Sequence, residues 1–130
     1  MITFTHTDAW ILYAIPPKIE DCPLSEIIAC ADFVNHAIPT TGEVRSALTK
    51  GLRSGLLERG PSGVRYAPSH REPVSRVTQK PRYALDAWDA LHKLLSQQSW
   101  EQTNDEDYLL TDADMETAYQ EYLARIKRRK

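Results

Sequence analysis

The sequence of 130 residues has little cysteine and no hydrophobic run of membrane-spanning length. Its two cysteines, Cys22 and Cys30, are too few for a disulfide framework, and no CxxC motif is present to hold zinc. The apolar run containing Trp10 to Pro17 is far shorter than the about 20 residues that a membrane helix needs. No basic segment precedes this run, as a secretory signal would require. We therefore expect a cytoplasmic protein that does not associate with membranes.

The motifs of common catalytic sites are also missing. The four histidines show no HxxxH or HExxH spacing, and no G-x-S-x-G, P-loop or GxGxxG motif occurs. The acids Asp105, Glu106 and Asp107 could suggest a metal site, but a solvated linker is the simpler interpretation. We expect no enzymatic activity, no metal and no cofactor.

The composition is that of an ordinary globular protein, but its charges are unevenly distributed. With 42% hydrophobic and 26% charged residues, the chain has enough apolar surface for one core. The formal net charge is −2, yet residues 37–83 carry nine cations against three acids, a net of +6. Residues 1–36 and 84–130 each carry a net of −4. This asymmetry can build a local positive face, although cations can equally cluster on solvated surfaces.

The first half of the chain carries the pattern of three helices. Thr7 as a cap and Asp8 in the first turn start a helix of about two turns, which Pro16 and Pro17 end. Apolar residues at helical spacing predict a second helix from Leu24 to about residues 35–36, with Ser25 or Asp21 as its cap.

The third helix has the clearest start. Thr40 and Glu43 match a capping box, which predicts a helix over residues 41–54 with Gly55 as its stop.

A hairpin and a loop are predicted next. Runs 56–59 and 64–67 flank Gly60-Pro61-Ser62-Gly63, a loop in which glycine supplies positive φ. Residues 68–82 hold Pro68, Pro73 and Pro81 and predict a loop or extended arm.

The C-terminal part predicts two more helices. Residues 84–96 place Leu85, Trp88, Leu91 and Leu95 on one face, and residues 97–110 form a polar, acidic linker. A helix over 111–127 starts at Thr111, with Leu110 and Met115 as a hydrophobic staple. The basic tail 125–130 could add phosphate affinity or merely solubility.

The predicted order of elements resembles that of a winged helix-turn-helix domain: helix, helix, tight turn, helix and hairpin. The resemblance covers about residues 8–67, and Pro39 before the third helix and Leu-Leu-Glu-Arg-Gly before the hairpin are its local marks. It implies a mainly α fold with a small β-hairpin: a winged helix-turn-helix domain with an extended arm over residues 1–82. A helical extension over 83–130 is either part of the same compact unit or a dimerisation element.

The resemblance implies a small DNA-binding protein, a transcriptional regulator, that inserts helix 41–54 into the major groove and contacts the backbone through the wing, residues 56–67. With the apolar face of the helix buried, basic and hydroxyl side chains remain to contact duplex DNA. These candidate residues are Thr40, Thr41, Arg45, Ser46, Thr49, Lys50, Arg53, Arg59 and Arg65.

Winged helices also serve as protein-interaction modules without DNA contact, so this alternative stays open. Glu43 would repel phosphate unless the capping box occupies it. A continuous positive face over helix 41–54 and the wing would favour DNA. Acids of the linker folded over that face would favour a protein partner instead.

The C-terminal helices carry more apolar surface than a three-helix domain needs. They either complete the core of one chain or pair two chains in a homodimer, which we expect because two-fold symmetry matches a palindromic site. The residues of this possible interface are Leu85, Trp88, Leu91, Met115, Tyr119, Tyr122, Leu123 and Ile126.

Overall fold

The computed structural model describes residues 1–128, which form six helices and a two-stranded antiparallel hairpin. This is the expected mainly α fold with a small hairpin. The basic-tail residues Arg129 and Lys130 lie outside the described residues. The elements are α1 (His6–Tyr13), α2 (Leu24–Asn35), α3 (Thr41–Ser54), β1 (Leu57–Arg59), β2 (Val64–Tyr66), α4 (Pro68–Gln79), α5 (Ala84–Ser96) and α6 (Asp112–Arg128).

The helix starts follow capping chemistry. The capping box predicted for α3 is present: the Thr40 hydroxyl accepts from the Glu43 amide at 3.1 Å, and the Glu43 carboxylate accepts from the Thr40 amide at 2.8 Å. Gly55 ends α3 with a φ of 79°. Helix α1 starts earlier than predicted, because Thr5 rather than Thr7 forms a capping box with Asp8. The predicted caps of α2 are wrong, since Pro23 stands at its N-cap without a side-chain bond.

The hairpin pairs Leu57 with Tyr66 and Arg59 with Val64. Cys22, between α1 and α2, adds a bridge to Val64: its amide donates to the Val64 carbonyl at 2.8 Å, and the reverse bond is 3.1 Å. Gly60 and Gly63 lie in the turn as predicted, but neither has a positive φ. Glycine is needed at position 63 because a Cβ there would lie 1.9 Å from the Cys22 carbonyl oxygen.

Residues 68–79 form a helix, so the loop predicted over 68–82 is wrong. Pro68 occupies the first turn, where no intrahelical N–H bond is needed, and its fixed φ suits a helix start. Pro73 lies inside the helix and removes one bond that the carbonyl of Ser69 would have accepted. Ser69 is exposed, so water can satisfy that carbonyl. Val74 is buried and fixes the helix on the core.

The C-terminal helices share one hydrophobic core with the first half of the chain. Helix α5 packs on α1 and α4, and α6 packs on α2. Trp88 and Leu91 of α5 and Met115 of α6 are buried within the chain, so much of the apolar surface expected between two chains is used inside one. Leu85 was expected on the buried face of its helix, but it lies at the start of α5 and is 56% exposed. Helix α6 begins as predicted, because Thr111 and Asp114 cap it.

Among residues 1–128, no helix combines the length and hydropathy required to cross a membrane.

Candidate functional site

Helix α3 divides into a buried and an outward face, as predicted. Its apolar side packs into the core through Val44, Ala47, Leu48 and Leu52. Arg45 and Ser46 on the other side are exposed, while Thr49, Lys50 and Arg53 are half-buried. Three of these side chains, together with Arg59 of β1, form a surface that we call the basic face, defined by Arg45, Thr49, Arg53 and Arg59.

An acidic segment, residues 101–110, lies across the basic face. Asp107 accepts from Arg45 Nη2 at 2.7 Å and from the Thr49 hydroxyl at 3.0 Å. The Arg45 guanidinium, followed by the Thr49 hydroxyl, lowers the pKa of Asp107 below its ordinary value. The same pairing raises the pKa of Arg45. The predicted linker is therefore bound to the predicted recognition helix.

The two remaining arginines of the basic face bind the same segment. Arg53 Nε donates to the carbonyl of Glu106 at 2.7 Å. Arg59 Nε donates to the Glu106 carboxylate at 2.9 Å, and its Nη2 donates to the carbonyl of Asp107 at 3.0 Å. The Arg59 guanidinium also lies 5.6 Å from the ring centroid of Tyr108, within the range of a cation–π contact.

The acidic segment also completes the C-terminal end of α3. The last carbonyls of a helix have no intrahelical partner and need donors from elsewhere. The Thr103 amide donates to the Arg53 carbonyl at 2.8 Å, and the Asn104 side-chain amide donates to the Leu52 carbonyl at 3.0 Å. The Tyr108 amide donates to the Thr49 hydroxyl at 3.0 Å. The main chain as well as the acids therefore fixes this segment.

The Lys50 side chain of α3 forms an ion pair with a residue of α1. Its Nζ lies 2.6 Å from an Asp8 carboxylate oxygen, and Asp8 is only 3% exposed. Asp8 already accepts from the Thr5 amide in the α1 capping box. Lys50 therefore compensates a buried charge at the contact between α1 and α3.

The other candidate residues are also engaged, except for one. Thr40 caps α3, and the Thr41 hydroxyl donates to Asp112 of α6 at 2.5 Å. Arg65 Nε donates to Glu58 at 2.8 Å across the hairpin. Ser46 is exposed. The structure thus gathers Arg45, Thr49, Arg53 and Arg59 on one surface and places the remaining charged candidates in contacts elsewhere.

Acids of the N-terminal flank also bind parts of the basic middle of the sequence. Glu20, before α2, accepts from Arg71 Nη1 of α4 at 2.9 Å. Asp21 accepts from the amides of Ser62 and Gly63 at the hairpin turn. The Ser62 hydroxyl, more than the two amides, lowers the pKa of Asp21. Glu20 and the acidic segment therefore offset part of the +6 block.

The surface of the described residues has depressions at the basic face and, apart from it, beside α2. One of about 410 Å³ lies on the basic face, between Gly42, Ser46 and Asp107. Another of about 430 Å³ is mostly apolar and lies beside Phe33, which is 78% exposed on α2.

Burial raises the pKa of the Cys22 thiol to about 12 and also raises that of Cys30, so neither thiol is activated. Within residues 1–128, no three His, Cys, Asp or Glu side chains are grouped to hold a metal ion.

The residues that sequence reasoning missed are Thr103, Asn104 and Tyr108, together with the role of Glu106 and Asp107. The available signal was charge: four acids in residues 101–110 follow a block of net +6. Comparison of the chain with protein-family models, curated proteins and solved structures finds no match.

Proposed function

We propose that the chain is a winged-helix module for protein–protein interaction that does not read duplex DNA in the conformation described. The order of α1, a bridging residue at Cys22, α2, α3 and the hairpin supports the winged-helix assignment. The bridge to Val64 extends the wing by one more strand-like contact, which joins the hairpin to the connection between α1 and α2.

One observation carries the proposal: the acidic segment occupies the basic face. Arg45, Arg53 and Arg59 donate to carboxylates or carbonyls of Glu106 and Asp107. Phosphate contacts supply most of the affinity of a DNA-binding protein, and they need these cations to be free. Duplex DNA would also meet the negative charges of the segment before it met α3.

The acidic segment is held on the basic face by several contacts together rather than by one strong ion pair. The side chains of Arg45 and Asp107 are 46% and 35% exposed, and an exposed ion pair is individually weak because water and salt screen it. The bonds from Thr103 and Asn104 to the end of α3 add a component that salt does not screen. DNA would have to replace this whole set.

Duplex DNA binding is the second candidate function, and one observation favours it. The Asp107 carboxylate is held by a guanidinium and a hydroxyl, and the same donors bind phosphate. The face is chemically suited to an anion once its own segment is removed.

The test is a binding titration of the full chain with mixed-sequence DNA duplexes of about 20 base pairs at low salt, where phosphate contacts are strongest. We expect no saturable binding, and we expect the Arg45→Ala/Arg59→Ala variant to behave like the parent. Lys50 is left in place because it has a structural partner in Asp8. Saturable binding by the parent that Arg45→Ala/Arg59→Ala weakens would overturn the proposal in favour of DNA.

A further inference from the structure

We infer that the basic face is a binding site for an extended acidic segment of a partner protein, and that residues 101–108 of the chain's own acidic segment are the resident occupant with which it exchanges. The inference rests on the proposed function and names its partner chemistry. The resident segment shows what the surface recognises, since it lies there with its side chains and its main chain both bonded.

The bonding pattern favours a peptide over a nucleic acid, because it includes an acceptor for a main-chain N–H. Arg53 and Arg59 bind the carbonyls of Glu106 and Asp107, and the Thr49 hydroxyl accepts from the Tyr108 amide. A nucleic acid backbone offers neither a peptide carbonyl nor an amide N–H at these places. The basic face therefore binds main-chain groups of the segment as well as its negatively charged side chains.

The side-chain contacts predict that the basic face prefers a short sequence of two acidic residues followed by an aromatic residue. Glu106 pairs with Arg59, and Asp107 pairs with Arg45 and Thr49. Tyr108 is half-buried beside Arg59, where burial is the main cause of its raised pKa. By contrast, among residues 1–128 the Asp105 carboxylate bonds only to Gln102 of its own segment. The partner segment should match positions 106–108 and tolerate change at position 105.

Exchange is possible because the helices on both sides have their own anchors. Helix α5 packs on α1 and α4, and α6 packs on α2. Residues 101–106 are exposed, and the ion pairs that hold the segment are of the exposed kind, which are individually weak. The segment can therefore leave the face while α5 and α6 remain docked.

The experiment measures binding of a fluorescent peptide with the sequence of residues 101–111 to the full chain by anisotropy. The probe competes poorly in the parent, because the tethered segment is present at high effective concentration. In the Glu106→Gln/Asp107→Asn chain the resident segment is weakened, and we expect the peptide to bind at least tenfold more tightly than to the parent. Adding Arg45→Ala to that chain should remove the gain.

Two controls separate recognition from net charge. The Glu101→Gln/Asp105→Asn chain also loses two acids from the segment, but neither residue bonds to the basic face, so it should bind the peptide like the parent. A peptide carrying Gln and Asn at positions 106 and 107 should not bind the weakened chain. Cooperative thermal unfolding of each variant shows that it is folded.

Three results would overturn the inference. One is absence of peptide binding by a folded Glu106→Gln/Asp107→Asn chain, and another is an equal gain in the Glu101→Gln/Asp105→Asn control. The third is displacement of the peptide from the weakened chain by duplex DNA at equal concentration, which would identify a general polyanion surface. The proposed function fails on a different measurement, namely saturable binding of DNA by the parent.

Discussion

Lys50 of α3 and Asp8 of α1 form an ion pair of 2.6 Å at the contact between the two helices. Asp8 is 3% exposed and also closes the α1 capping box, so its charge has little access to water. The sequence pattern predicts that Lys50 contacts DNA, but in the structure its side chain pairs with Asp8. The pair fixes how α3 lies against α1, and through α3 it orients the basic face.

Replacing Lys50 with Met should destabilise the fold. The substitution keeps most of the side-chain volume but leaves the buried Asp8 carboxylate without its cation, which costs about 1–3 kcal/mol. Urea unfolding of the Lys50→Met variant measures this loss as a lower midpoint. Lys93→Met, at an exposed position of α5, is the control, and it should change the midpoint little.

A double-mutant cycle checks the cause. Asp8→Asn removes the charge that Lys50 compensates, so Lys50→Met should cost less in an Asp8→Asn background than in the parent. If the two substitutions add without coupling, the pair does not stabilise the helix contact.

Gly63→Ala should destabilise the hairpin through a steric clash. A Cβ at this position would lie 1.9 Å from the Cys22 carbonyl oxygen, a backbone atom that cannot move without losing the bridge to Val64. Forcing extra volume into a packed position costs about 1–3 kcal/mol. Gly42→Ala is the matched control, since its added Cβ meets no other part of the described chain within 4 Å beyond its own neighbours and helix backbone. Equal midpoints for both variants in urea unfolding would contradict the argument.

Much of the fold could be predicted because its signals are local. Thr40, Glu43 and Gly55 lie within or beside the helix that they delimit, so spacing alone places α3. The same holds for the two short runs around residues 60–63. Helix α4 was missed because three prolines in residues 68–82 favour a loop, whereas their effect depends on position within a helix. Pro68 at the first turn is compatible with α4, and Pro73 removes a single bond.

The occupied basic face could not be predicted because its contacts join distant parts of the chain. Asp107 is 62 residues from Arg45, and Thr103 is 50 residues from Arg53. Sequence periodicity shows which residues share a helix face, but it does not indicate which later segment of the chain contacts that face. The charge blocks indicated that the segments could attract each other, and only the folded chain specifies which acids meet which cations.

The pKa of Asp107 should rise toward its ordinary value when Arg45 is replaced by Ala. Hydrogen bonds from Arg45, and then from Thr49, lower this pKa in the folded chain. The carboxylate therefore helps to hold the segment above the ordinary pKa of Asp, and this contribution is lost as the pH falls through the lowered value. NMR titration of the Asp107 carboxyl carbon measures the shift, and Arg76→Ala on α4 is the control. An unchanged midpoint in Arg45→Ala would show that the guanidinium does not stabilise the charge.

The last prediction concerns α6, whose aromatic face was expected to pair two chains. In the structure this face packs on α2 of the same chain, where the Tyr122 hydroxyl donates to Asp32 at 2.8 Å and Arg125 bonds with Glu26. Tyr122→Glu should lower the thermal midpoint, because a second carboxylate then faces Asp32 and the ring contact with α2 is lost. The exposed Ala124→Glu variant adds the same charge on the same helix without that contact, so its midpoint should stay near that of the parent.

Light scattering during gel filtration distinguishes an intramolecular from an intermolecular role for this face. If α6 completes the core of one chain, the Tyr122→Glu variant and the parent both have a mass near 14.8 kDa, and only the midpoint changes. A parent of twice that mass that becomes a monomer in Tyr122→Glu would instead assign the face to a homodimer. In that case α6 would pack on α2 of a second chain, and the acidic segment tethered to it would be the first element to test for exchange between the two chains.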